Sequence, residues 1–322
     1  MNTHVSRNRI VAVLAAILCL VLLSTSGSGA QESNGRNNNH KWAPARLPDG
    51  QPNMEGVYIS GWSVPQERFT AAERKEWDEK MIKLRGPNPS AYGREWTERE
   101  LHDKPSFVPK PGTVMVIDPP EGRIPFQPWA LAKRNYIRDH WFERPEFVDS
   151  RVRCLPAGPR HTFPSGYNGW QVLQPPGHVI ILQEHNHNYR IIPLDKTPHP
   201  GRKIELWMGD SRGHWEGNTL VVDVTNFTDK TWVMGEIGGE GMSVGSFHSP
   251  SLHMIERWTI RDADNIDYEA TIEDPNVFAK PWKMAFGVWK RAPKGYENYE
   301  YACHEGNRWN ELTAGPAQTT QK

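Results

Sequence analysis

Two acids stand on faces that strand alternation would bury. In Leu252–Ile260, one face carries Leu252, Met254, Glu256, Trp258 and Ile260, and the other carries His253, Ile255, Arg257 and Thr259. In His178–His185, Glu184 shares a face with His178, Ile180 and Leu182. A buried carboxylate is costly unless paired or protonated, so Glu184 and Glu256 are candidates for general acid–base work. The plainer alternative is that each neutralises a buried arginine, Arg190 or Arg257. Histidine titrates nearest neutral pH, which adds His187, His253 and His304. The expectation is one catalytic pocket at a barrel mouth made by Glu184, His187, His253, Glu256 and His304. Arg190, Arg257, Trp282 and Glu305 would bind substrate there. His253 and Glu256 are three apart and face opposite sides unless a bulge intervenes.

His185-Asn186-His187 is the candidate metal motif. On a strand, a spacing of two aims both imidazoles at one face, as a divalent metal needs. His248, His253 or His304 would supply a third ligand. The same segment also reads as a turn, because Asn186 and Asn188 are turn formers. A cupin would need a glutamate four or five residues further on, where Ile191 and Ile192 stand. No cofactor is firmly implied; a divalent metal is the one candidate. There is no Gly-x-Ser-x-Gly elbow, phosphate loop or dinucleotide fingerprint.

Fourteen tryptophans could pave a cleft or fill a core. Trp258 and Trp282 read as core or barrel lining, and Trp207, Trp215 and Trp289 as mouth or surface.

The elements that must position these residues change character along the chain. Phe69–Leu84 reads as a helix with a Thr70/Glu73 capping box and an apolar stripe of Trp77, Met81 and Leu84. A second helix starts at Pro128 and runs to about Phe142. Between them Pro105, Pro109, Pro111, Pro119, Pro120 and Pro125 force an irregular path. From Trp170, eight short runs rich in β-branched and aromatic residues recur: 170–174, 178–185, 189–194, 203–208, 219–227, 252–260, 266–273 and 282–289. Gly217-Asn218 and Asp264-Asn265 read as hairpin turns. The fold class is mainly β: an antiparallel meander closing as a lipocalin- or calycin-like barrel, with an N-terminal helical and proline-rich extension.

Arg7 and Arg9, an apolar run from Ile10 to Leu23 and small residues to Ala30 form a signal peptide cleaved near Ala30. The expected layout is signal 1–30, disordered or extended lead-in 31–56, helical and proline-rich segment 57–169, and barrel with C-terminal tail 170–322. Cleavage leaves 36 basic against 38 acidic residues, a net of −2. That balance argues against nucleic-acid binding. No later stretch is apolar enough to span a membrane. Cys154 and Cys303, the two cysteines left, are expected to pair in an oxidising compartment, periplasmic or extracellular.

Four stretches together carry a resemblance: 209–222 (GDSRGHWEGNTLVV), 252–257 (LHMIER), Glu273-Asp274-Pro275 with Lys280-Pro281-Trp282, and 299–307 (YEYACHEGN). They resemble a large family of secreted proteins from environmental bacteria, over roughly the last two thirds of the chain. The resemblance implies secretion and a shared fold, and supplies no reaction. Its motif positions include Glu184, His187, Arg190, His253, Glu256, Asp274, His304 and Glu305.

The functional expectation is a secreted enzyme, a lyase, isomerase or hydrolase. It would act on a small aromatic, sugar-like or lipid-like molecule by histidine and carboxylate chemistry. Two alternatives stand beside it: a non-catalytic binding protein of lipocalin type, and a His-ligated metal enzyme.

Overall fold

The computed structural model describes residues 42–60, 66–85, 114–141, 143–162, 169–235 and 242–305. The signal segment, the first part of the lead-in and Pro105 to Pro111 lie outside them. The capping box is formed: Thr70 N–H donates to Glu73 Oε2 at 2.7 Å, and Glu73 N–H donates to Thr70 Oγ1 at 3.2 Å. It opens α1 (Ala71–Arg85). Pro128 begins α2 (Pro128–Asp139), which ends three residues before Phe142.

Among the described residues twelve strands follow one another: β1 (Gly56–Ser60), β2 (Val116–Asp118), β3 (Trp170–Leu173), β4 (His178–Gln183), β5 (Tyr189–Pro193), β6 (Asp210–Glu216), β7 (Thr219–Thr225), β8 (Trp232–Met234), β9 (Ser246–Phe247), β10 (His253–Ile260), β11 (Asn265–Glu273) and β12 (Trp282–Arg291). Nine of them pair antiparallel in the order β5-β4-β3-β1-β12-β11-β10-β7-β6, which is a nearly closed barrel. Read around the wall, that order is chain order, so the barrel is an up-and-down meander. β2 pairs with β12 beside the main path, and β8 and β9 form a separate hairpin.

Three elements differ from the sequence reading. Lys203–Met208 is loop, and Ile204 and Leu206 are exposed there. β6 is a strand although its inward positions are Ser211 and Gly213, which carry no hydrophobic signal. β1, from the stretch read as helical and proline-rich, closes the wall between β3 and β12.

Trp170, Trp258 and Trp289 are buried in the lumen. Trp170 stacks on Trp289 at 4.6 Å, and Trp258 meets Trp289 edge-on at 4.5 Å. Trp289, expected at a mouth or surface, is therefore core. Trp282 is also core, edge-on to Phe278 at 5.7 Å, with no exposed surface for a substrate.

The seam between β5 and β6 carries no strand pairing. Side chains close it. A Cβ on Gly213 would stand 2.6 Å from Ile192 Cγ2, so only glycine lets β5 approach this closely. Arg190 on β5 donates from Nη2 to Ser211 Oγ on β6 at 2.7 Å, bolting the two edges together.

Cys154 and Cys303 stand at disulfide distance, Cα to Cα 5.5 Å. The pair ties the C-terminal tail to the turn at 149–155.

Candidate functional site

The five residues expected in one pocket do not share one. Glu256 points into the barrel and is fully buried. Its Oε2 accepts from Arg190 Nη2 at 2.6 Å and its Oε1 from Tyr268 Oη at 2.9 Å. That is the charge-neutralising role offered as the plainer alternative. His253 lies on the opposite, outer face of the same strand, which alternates without a bulge. Glu184 falls outside the interior for a different reason. β4 stops at Gln183, and its buried residues are Val179, Ile181 and Gln183 rather than the face Glu184 would share. Glu184 instead accepts from Gly169 N–H at 3.0 Å and Tyr296 Oη at 3.4 Å.

His185–His187 is a single 3-10 turn, not strand, with Asn186 and His187 at positive φ. His185 is buried and His187 exposed, so the two rings do not face one site. Burial first, then the charges of Arg151 and Arg160, push the His185 pKa down to about 3. Among the described residues no group of three or more His, Cys, Asp or Glu is placed to hold a metal ion. Arg257 is half-exposed and pairs with Glu216 at 2.7 Å on the outer wall. His304 and Glu305 are exposed on the turn after Cys303.

The structure gathers a different set around His253. The outer face at one end of β6, β7, β10 and β11 presents Asp210, Asp223, His253 and Glu273 in adjacent strands. Asp223 is opposite Ile255 and His253 opposite Glu273, so His253 is a diagonal neighbour of Asp223, within side-chain reach. Asp223 Oδ1 takes His253 Nε2 at 3.0 Å and His199 Nε2 at 3.2 Å. His199 Nδ1 meets Asp210 Oδ2 at 2.5 Å, and Arg212 Nη2 stands 3.2 Å from Asp210 Oδ1. His253 Nδ1 is 4.0 Å from Glu273. Two imidazoles thus sit in one chain of alternating acid and base.

The chain does not match any family model, curated protein or solved structure in three comparisons.

Loops complete the cleft over this chain. His199 arrives on the β5–β6 loop. Asn226 shapes that loop: at φ 59, which asparagine tolerates, its Nδ2 donates to Ile204 O at 2.8 Å and Gly201 O at 3.2 Å. On the other side Asp274 accepts from Ser249 N–H at 2.6 Å and Ser249 Oγ at 2.9 Å, fixing the loop before β10 against the β11–β12 turn. The cleft between them encloses about 530 Å³ and is lined further by Arg202, Glu205, Thr225 and Ser251. None of its lining residues is aromatic apart from the two histidines.

His253 is held protonated to higher pH than ordinary histidine, first by its hydrogen bond to Asp223, against the opposing effect of burial. Asp223 is held below the usual carboxylate range, first by that same bond. The contribution of His253 to stability is therefore full below its unfolded pKa of about 6.5 and is lost as pH rises through its raised folded value. The Asp223 contribution is present above its unfolded pKa and is lost as pH falls through its lowered folded value. The Hε1 proton shift of His253 should titrate above the ordinary histidine midpoint, and Asp223→Asn should bring that midpoint down. Identical midpoints in the two proteins would sever the link.

Of this set, sequence reasoning found His253 and missed His199, Asp210 and Asp223. Asp223 had a usable signal: it is the one acid in the apolar run Leu220–Val224. The match of that outward acid with outward His253 on the paired strand was the missing step.

Proposed function

We propose that the protein is an enzyme of histidine and carboxylate acid–base chemistry, and that the outer-wall cleft at His199, Asp223 and His253 is its active site. The observation that carries this reading is the shared Asp223 Oδ1, which receives both imidazoles. In this reading protonated His253 is the general acid, its proton poised by Asp223, and Glu273, which lines the same cleft, is the base that takes the substrate's carbon-bound proton. His199, clamped between Asp210 and Asp223, orients the latter carboxylate. Arg202 and Glu205 at the rim would meet polar groups of the substrate. The lining sets Arg202, Glu205, Thr225, Asn226 and Ser251 beside Pro200, Pro250, Leu252 and Pro275, which suits a small oxygen-rich molecule with an apolar face, such as a sugar acid. The chemistry is proton transfer, with elimination or isomerisation as its outcome.

A lipocalin-type carrier has less support. Such a carrier needs an empty lumen, and the rings of Trp170, Trp258 and Trp289 occupy this one. Export belongs to the same proposal. The leader at 1–30 and the Cys154–Cys303 pair fit an oxidising compartment. Among the described residues no helix is long and apolar enough to cross a membrane.

The test is deuterium wash-in. Purified protein in D2O at pH 6–7 is given hexuronic acids, aryl glycosides and hydroxy fatty acids, one from each chemical class above. Deuterium incorporation or product is followed by proton NMR and mass spectrometry. The reading expects turnover of the hexuronic acids. No exchange and no product from any of the three counts against it.

A further inference from the structure

A second group of polar side chains lies under the C-terminal tail, outside the cleft. Arg151 is almost wholly buried, yet its Nε and Nη1 have no hydrogen-bond partner. Asp149, whose Oδ2 is 3.9 Å from Arg151 Nε, directs that same oxygen to Arg160 Nη1. Its other oxygen accepts from the Arg151 backbone N–H at 2.9 Å. One carboxylate oxygen thus serves two guanidinium groups, with Arg160 the nearer. Burial, the largest effect, lowers the Arg151 pKa to about 10. His185 adds a second unused group: its buried Nε2 is also without a partner.

These groups are bound into one cluster. Asn186, next to His185, donates from Nδ2 to the carbonyls of Arg151 and Leu155, each at 3.1 Å. The Tyr301 ring lies 4.7 Å from the His185 ring. Tyr301 is two residues before Cys303, whose Sγ stands 3.9 Å from the Arg151 carbonyl. The tail therefore covers Arg151 and His185, and the cysteine pair holds it there.

Two buried guanidinium groups, Arg151 and Arg160, thus share the one carboxylate of Asp149, which leaves an excess buried positive charge; an oxyanion accepting from an unpartnered Arg151 N–H would balance it. Neutral His185 can place its ring proton on Nε2 and donate to the same anion. We propose that Arg151 and His185 form a binding site for a compact oxyanion, covered by Tyr301 and closed by the Cys154–Cys303 tether. The chemistry serves a free phosphate or the carboxylate of a small organic acid.

Thermal unfolding tests this with inorganic phosphate, acetate and chloride at matched ionic strength. Wild type should rise by about 5 °C in saturating phosphate or acetate relative to chloride. Whichever of the two acts at lower concentration names the source. Arg151→Met should lose the response while melting in chloride no lower than wild type, because it removes the excess positive charge and leaves Asp149 paired with Arg160. Arg151→Lys should respond more weakly, because one flexible ammonium replaces the fixed guanidinium donors. Equal shifts in wild type and Arg151→Met would overturn the proposal. Should Arg151→Met fail to fold, equilibrium dialysis of wild type against radiolabelled phosphate and acetate decides: about one anion per chain supports the site, and none overturns it.

Discussion

Glu256→Gln should destabilise the protein by about 3–5 kcal/mol, and Arg190→Met by a similar amount. The pair is fully buried inside the barrel, and each partner balances the other's charge there. Loss of Glu256 leaves Arg190 charged and buried. Loss of Arg190 leaves the buried carboxylate without its guanidinium, and also removes the bond to Ser211 across the unpaired β5–β6 seam. The double variant Arg190→Met with Glu256→Leu should recover most of the loss, since replacing both members of a buried pair by apolar groups of similar size is often near neutral. Urea denaturation at pH 7 measures all three. A shortfall of the double variant comparable to the sum of the singles would mean that the bolt across the seam, rather than charge pairing, carries the energy. Single losses below about 1 kcal/mol would contradict both accounts.

Trp289→Ala should cost about 3–5 kcal/mol with an unchanged denaturant slope. Trp289 is the hub of the lumen: it stacks on Trp170, receives the edge of Trp258 and lies 6.2 Å from Tyr58. Truncation leaves a ring-sized hole that neighbouring rings on separate strands cannot collapse to fill. Tyr189, 63 % exposed on the outer wall, is the comparison; Tyr189→Ala should change stability by no more than about 0.5 kcal/mol. A small loss at Trp289 would mean a lumen loose enough to admit other molecules, and the carrier reading would return.

The meander was legible because most of its strands bury apolar residues at every second position, as β11 does with Ile266, Tyr268, Ala270 and Ile272. Thr70 and Glu73 marked α1 for the same local reason. β6 was hidden because its inward positions are filled from across the seam: Arg190 meets Ser211, and Ile192 occupies the space left by Gly213. Ile204 and Leu206 imitate a strand but stay exposed, tied to β7's exit by the Leu206–Phe227 bridge. Glu256 was named from strand alternation, and Arg190 was one of two arginines offered to neutralise it; the other, Arg257, pairs with Glu216 on the outer wall. Glu184 was misplaced because the inward face of β4 is Val179, Ile181 and Gln183, and a shift of one residue decides the face completely. His199 could not be reached locally. It sits between prolines in a loop, and what makes it a partner of Asp223 is the return of the chain from β5 to β6.

The most direct test of the outer-wall site is to repeat the wash-in assay with His253→Ala and Glu256→Gln beside wild type, over pH 5–9. Removing a general acid should lower turnover by about 10²–10⁴-fold. Glu256→Gln, once shown to be folded at the assay temperature, should keep its turnover within a few-fold. Wild-type turnover should fall as pH rises through the raised His253 pKa. Wild-type rates in His253→Ala, or loss of turnover in folded Glu256→Gln alone, would contradict the account and move the chemistry into the barrel.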